Sequence, residues 1–315
     1  MIKTIINIFL IFFIIVPNLI GQSKFDSKIK LDNHKYFEER NIEVVISKNS
    51  EEQYRIKNQL SPYYSIPEVA VFENGNSVLI FSVESVLEFY SNGVLQKQIK
   101  LLEDDLYNES SILFSADKNK IALLITEEQK NKVILLTDSG EEIFAKSYQD
   151  GFGSGIVFSE TNNFLAVSIN NWDNENLISR SVFTDYKNNT ETIFPYNFEN
   201  GDFYNNSTLF LGQSNSELFL LDLNTNKILW NKKANNKTIF LQSRIKNNVV
   251  LVIKADRPTL TNGLWNYKKA KIISFDRNGH EEEIQTINKS FRSLDIVEDE
   301  QGIAIKTNND LIKIN

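Results

Sequence analysis

The chain contains no cysteine. It therefore has no disulfide, no thiol nucleophile and no thiolate metal site, and it cannot carry the lipid-modified cysteine of a bacterial lipoprotein. Histidine is almost missing as well: His34 and His280 are the only two, and they form no pair at metal-ligand spacing. No Gly-x-Ser-x-Gly elbow and no phosphate-cradling glycine loop is present. Positive charge is not in excess. Lys and Arg total 34 against 41 Asp and Glu, a formal net charge of −7, and no basic block stands out. A general phosphate-backbone binder needs the opposite balance, so no nucleic-acid partner is expected. Helical periodicity is absent beyond the N-terminus. The high Asn and Lys content carries no functional weight.

The one long apolar run opens the chain. "MIKTIINIFLIFFIIVPNLIGQS" has Lys3, an apolar core from Ile5 to Val16, then Pro17 and small or polar residues to Gly21. That is the plan of a secretory signal peptide, with cleavage expected after Gly21. An uncleaved anchor is the alternative, since Ile2 to Ile20 is nearly long enough to span a bilayer, but Pro17 and Asn18 weaken it. The expectation is an exported protein, periplasmic or extracellular, that contacts membrane only if this segment stays attached.

What fills the rest is a recurring unit. "LFLLDLNTNKILWNKK", Leu218 to Lys233, is two apolar runs around the turn Asn224-Thr225-Asn226-Lys227, whose asparagines tolerate the left-handed backbone of a tight hairpin. The same plan appears in "VLEFYSNGVLQKQIKL", "KVILLTDSGEEIFAKS", "ISRSVFTDYKNNTETIF" and "KAKIISFDRNGHEEEIQTI". Ahead of these stand further strand pairs such as "VAVFENGNSVLIFS", "ILFSADKNKIALLI" and "IVFSETNNFLAVSI". An isolated hairpin is marginal in water. Four strands repeating every 40–50 residues or so are instead the signature of propeller blades.

"FSADKNKIALLI" and "FSETNNFLAVSI" resemble the WD-repeat-like strand pair of bacterial β-propellers, usually Phe-Ser-Pro-Asp-Gly before an apolar strand. Here Ala116 and Glu160 replace the proline, and Asn119 and Asn163 take over the turn. The stretch around Asp222 and Trp230 is similar to the repeat of pyrroloquinoline-quinone propellers, in a single blade. The resemblance covers Pro67 to Asn315 and implies an all-β propeller of four-stranded antiparallel blades; propellers host many unrelated functions. A quinone enzyme would need a planar pocket, a calcium ion and a base near the quinone. One repeat match supplies none of them, and His280 falls near a blade periphery. No cofactor and no metal are expected, and Trp230 reads as a packing residue.

From Glu68 the sequence contains five complete blades to about Ile287, then only three strands, "FRSLDIV", "GIAIKT" and "DLIKIN". Six blades are expected, with the ring closed by an N-terminal strand, "IEVVIS" or "EQYRIK", drawn from residues 22–66; seven blades follow if that hairpin seeds a blade of its own. The mature chain then forms one domain.

Turns after the first and third strands of each blade are short: "ENGN", "ADKN", "SNG", "DSG", "NTN", "DRNG". Those at the other end look longer and more aromatic: "LEDDLYNES", "SYQDGFGSG", "PYNFENGD", "NNWDNEN" and "KADRPTLTNGLWNYKK". Rigid aromatics supply contact area at low entropic cost. Trp172, Asp173, Arg257, Trp265 and Tyr267 are therefore the candidate ligand-binding residues. The ligand expected is a protein, peptide or glycan of the cell envelope, bound by a non-catalytic module. Asp173 and Glu175, and the run Glu103-Asp104-Asp105, read as solvated loop carboxylates. A hydrolase or lyase using carboxylates around the axis is the alternative.

Overall fold

Apolar runs rich in β-branched and aromatic residues pair most readily as strands, and Asn and Gly at their ends take the left-handed turns that reverse the chain. The computed structural model describes residues 25–31, 40–60, 65–102, 110–127, 130–149, 151–159, 163–173, 176–204, 208–246, 249–261, 264–299, 302–307 and 311–313. Among them are 28 strands and no helix.

The first blade is β1 (Phe25–Leu31), β2 (Arg40–Lys48) and β3 (Glu51–Leu60). The second is β4 (Glu68–Val71), β5 (Ser77–Phe81), β6 (Val86–Ser91) and β7 (Val94–Lys100). The third is β8 (Ser110–Asp117), β9 (Lys120–Glu127), β10 (Lys130–Thr137) and β11 (Glu142–Gln149). The fourth is β12 (Phe152–Ser159), β13 (Phe164–Asp173), β14 (Asn176–Asp185) and β15 (Thr190–Phe194). The fifth is β16 (Asn200–Phe203), β17 (Leu209–Gln213), β18 (Glu217–Asp222) and β19 (Lys227–Lys233). The sixth begins with β20 (Thr238–Lys246) and β21 (Val249–Asp256). It then sends out a hairpin, β22 (Thr259–Thr261) and β23 (Leu264–Asn266), before β24 (Ala270–Phe275) and β25 (Glu281–Ile287) complete it. The seventh is β26 (Leu294–Asp299), β27 (Gly302–Thr307) and β28 (Leu311–Lys313). Every neighbouring pair is antiparallel; five blades have four strands, and the first and last have three.

Seven blades replace the six expected. The N-terminal strands do not complete the last blade: β2 pairs with β1 and β3, with Ile46 opposite Tyr54, in a sheet of their own. Physically, this segment has a turn and an apolar face sufficient for a blade. Asn49 and Ser50 both take positive φ and close the β2–β3 hairpin. Ile42, Val44 and Ile46 then line one face of β2 and bury against Leu79 and Phe81 of the second blade. Phe25 supplies further contact, packing beside Gly75. The other face of this sheet carries charge, with Lys30 3.6 Å and Arg55 3.1 Å from Glu43.

Successive blades are joined by apolar cores. One joins the second and third blades through Phe72, Phe89, Leu123 and Leu136, and another the fourth and fifth through Phe183, Phe198, Phe210 and Phe219. Trp230 is buried between the fifth and sixth blades, its ring 5.4 Å from Phe275. It is a packing residue, as its sequence context implied. Sandwiching between blades also explains the continuous apolar runs. Every residue of β5 and of β17 is buried, whereas β7, at the periphery, is mostly exposed. The innermost strands β8, β12, β16, β20 and β26 touch one another in that order and line the axis.

Candidate ligand face

An antiparallel blade entered at its inner strand puts the turns after strands one and three at one end. The turn after strand two and the link to the next blade lie at the other end. The first end is tight, as the sequence implied. Asn92, Lys118, Asn163 and Asn226 reverse the chain there with positive φ.

The link end is less loop-rich than expected. In "SYQDGFGSG", β11 runs to Gln149 and β12 begins at Phe152, leaving a two-residue link. Gly151 makes this possible: its φ is 87°, and a Cβ there would collide with the Asn170 carbonyl. In "PYNFENGD", Phe198 is fully buried and Tyr196 packs on Phe219 at 5.1 Å, so these aromatics belong to the core. Most of "LEDDLYNES" lies outside the described residues. A cleft of about 460 Å³ opens nearby between the second and third blades, lined by Leu101, Ile125, Lys130 and Gln149.

Two projections remain. In the fourth blade β13 and β14 run past the neighbouring strands as a long hairpin, pairing Trp172 with Leu177 and Asp173 with Asn176. Trp172 is 61% exposed, and Leu177 and Ile178 are exposed beside it. In the sixth blade β22 and β23 pair Leu260 with Trp265; these are 60% and 47% exposed, with Leu264 also exposed. Arg257 is exposed at the base of this hairpin, its N–H donating to the Lys237 carbonyl at 2.9 Å. Tyr267 does something different. It exchanges two backbone hydrogen bonds with Phe291 and stacks on that buried ring at 5.2 Å.

The five candidates thus divide. Trp172 and Asp173 stand on the fourth blade; Arg257, Trp265 and Tyr267 stand on the sixth, with Tyr267 serving as the footing of its hairpin. Between them lies the fifth blade, whose corresponding turn is only Ser214-Asn215-Ser216. Asn215 donates to the exposed Glu199 there, at 3.3 Å. Two apolar projections therefore flank a low polar floor. Leu260 and Leu264 lay within the loop stretch already singled out, whereas Leu177 and Ile178 follow "NNWDNEN" and look like ordinary strand residues until the hairpin is seen to project.

On the axis, Asp202 of β16 is a carboxylate that sequence reading did not single out. Burial pushes it up to about 6, against the pull of Arg244 and of hydrogen bonds from the Ile245 and Phe203 amides. Arg244 is itself buried, on the adjacent inner strand β20. A carboxylate glycosidase needs two acids across a substrate, and the partner here is a cation. Among the described residues no group of three or more His, Asp or Glu could hold a metal ion. His280 lies at an exposed turn, 2.9 Å from Asp276, which it holds below the usual carboxylate range.

This is the fold of a seven-bladed WD40-type β-propeller. Solved structures similar to it include the C-terminal WD40 domain of Sif2, with 12% identity, a TM-score of 0.53 and coverage of 87% of this chain and 76% of that one. Another is a chain of a mitotic checkpoint complex, with 9% identity, a TM-score of 0.56 and coverage of 87% and 81%. At such identities the likeness is one of fold. No family profile matches the sequence, and no curated protein does. The quinone-propeller resemblance and the bacterial assignment gain no support from these matches.

Proposed function

We propose that this chain is an exported, non-catalytic propeller that binds a protein partner across its link face, over the fifth blade. The observation that carries the reading is the pair of exposed tryptophans, Trp172 and Trp265, raised on separate hairpins of one face. Large apolar side chains left in water at the ends of ordered elements mark recognition surfaces, because desolvating them on a partner is favourable and little entropy is lost. The polar floor between them, with Asn215 and Glu199, supplies hydrogen bonds that fix orientation. The likeness to WD40 propellers, one of them in a multiprotein complex, supports a protein partner. The N-terminal segment ending at Gly21 supports export.

Affinity capture from a native envelope extract, using the chain from Gln22 as bait, tests both parts. Trp172→Ala combined with Trp265→Ala is expected to weaken capture at least tenfold, each truncation costing about 1–2 kcal/mol of binding, while the melting temperature stays within a few degrees. Equal capture by both forms would overturn the binding face. Recovery of the protein in the cytoplasm with residues 1–21 intact would overturn export.

A further inference from the structure

The sixth-blade hairpin has a chemistry that protein binding does not require. Between Lys254 and Lys269 the sequence carries four cations and one carboxylate, in a chain of net charge −7. The cations stand at the base: Arg257 and Lys268 are exposed on the two legs, and exposed Lys237 is held beside Arg257 by its carbonyl. The apolar residues Leu260, Leu264 and Trp265 stand beyond them, all exposed. The two residues between Thr261 and Leu264 in sequence are Asn-Gly, without charge. Moving outward from the body, the order is cationic, then apolar.

The hairpin is also held ready. Asp256 N–H donates to the Lys269 carbonyl at 3.0 Å, closing the base, and Tyr267 is clamped to Phe291 by bonds of 2.9 and 3.1 Å. Its three-residue strands, at ~3.3 Å per residue, are each about 10 Å long. An interfacial element sinks its apolar side roughly 5–10 Å below the headgroups, with Lys and Arg left at the phosphate level and Trp and Leu beneath them.

We propose that the β22–β23 hairpin is a membrane-docking element that dips Leu260, Leu264 and Trp265 into the surface of an anionic bilayer. Arg257, Lys268 and Lys237 meet the lipid phosphates. The fourth-blade hairpin lacks this order, since the sequence beside Trp172 carries Asp173 and Glu175; anionic lipid repels it, which leaves it to a protein. The proposal goes beyond the protein-binding reading; it shares Trp265 with that reading, while Trp172 belongs to the protein-binding reading alone. Docking would set the link face against the membrane, where an envelope partner resides.

The test is co-flotation of the chain lacking residues 1–21, an apolar leader that would itself bind lipid. Vesicles of equimolar phosphatidylglycerol and phosphatidylcholine are compared with pure phosphatidylcholine. Binding is expected on the anionic vesicles only. Leu260→Ser with Trp265→Ser should lower partitioning about tenfold or more, and Arg257→Gln and Lys268→Gln about fivefold each. In a Trp172→Phe chain, with Trp230 buried, a blue shift of emission on vesicle addition reports Trp265 entering lipid. That readout needs no destabilising change. No flotation, equal flotation on neutral vesicles, or an unmoved emission maximum would overturn the proposal. Protein capture that depends on Trp172 would survive that failure. Loss of capture with lipid binding intact would instead remove the protein-binding reading.

Discussion

Phe210→Ala is expected to lower the stability of the folded chain by about 3–5 kcal/mol, among the largest effects a single truncation can have. Phe210 is completely buried. Its ring lies 4.8 Å from Phe183, 5.1 Å from Phe198 and 4.9 Å from Phe203. Gly201 of the neighbouring strand is seated against it, with no space for a Cβ. Truncation removes the edge-to-face contacts and leaves a cavity whose walls are rings from two blades, which cannot collapse without moving the blades apart. Chemical denaturation measures the loss. Phe210→Leu, which keeps most of the volume, should cost roughly 1.5 kcal/mol. Phe152→Ala, at an exposed position, should be near neutral. Equal stabilities for the Phe210→Ala and Phe152→Ala chains would refute this account of the interblade joint.

The second large effect is one of pH. The Asp202 carboxyl is raised from 3.8 to about 6 by burial, Arg244 offsetting only part of that shift. The folded state then holds this proton more tightly than the unfolded state does. The stabilisation is complete below about pH 3 and is lost as pH rises through 6, a decline of about 3 kcal/mol for a shift of this size. Groups shifted the other way act oppositely: hydrogen bonds from Lys146, Tyr148 and Thr184 outweigh burial and lower Glu191, which favours stability above the acid range. The difference between wild type and Asp202→Asn isolates the axial group. That difference should change by about 3 kcal/mol between pH 3 and pH 7, with wild type losing ground as pH rises. A pH-independent difference would show that Asp202 is solvated and unshifted.

The blade was legible because its determinants are local. In "LFLLDLNTNKILWNKK" the turn is set by Asn226, which takes φ 52°, and by Asp222, whose carboxylate accepts the Asn224 N–H at 3.0 Å. Trp230 read as a packing residue because a single repeat match supplied no other part of a quinone site. Blade number was not local. Whether "IEVVIS" lends a strand or founds a blade depends on whether its apolar face finds a surface to cover, and Leu79 and Phe81 of the second blade provide one. The links "SYQDGFGSG" and "PYNFENGD" proved not to be exposed loops for a related reason. Phe198 and Tyr196 look like ligand aromatics by their place in a loop, and only interblade packing shows Phe198 buried and Tyr196 half-buried against the same core.

By itself, the sequence determined the all-β class, the four-strand unit, the tight turns and the absence of thiol chemistry, because strand periodicity and turn backbone are set within a few residues. Only the tertiary structure decided the seventh blade, the opposed positions of Asp202 and Arg244, and which aromatics stay in water. Burial is a property of pairs of blades, and the residues that cover Phe198 yet leave Trp172 and Trp265 uncovered belong to other repeats.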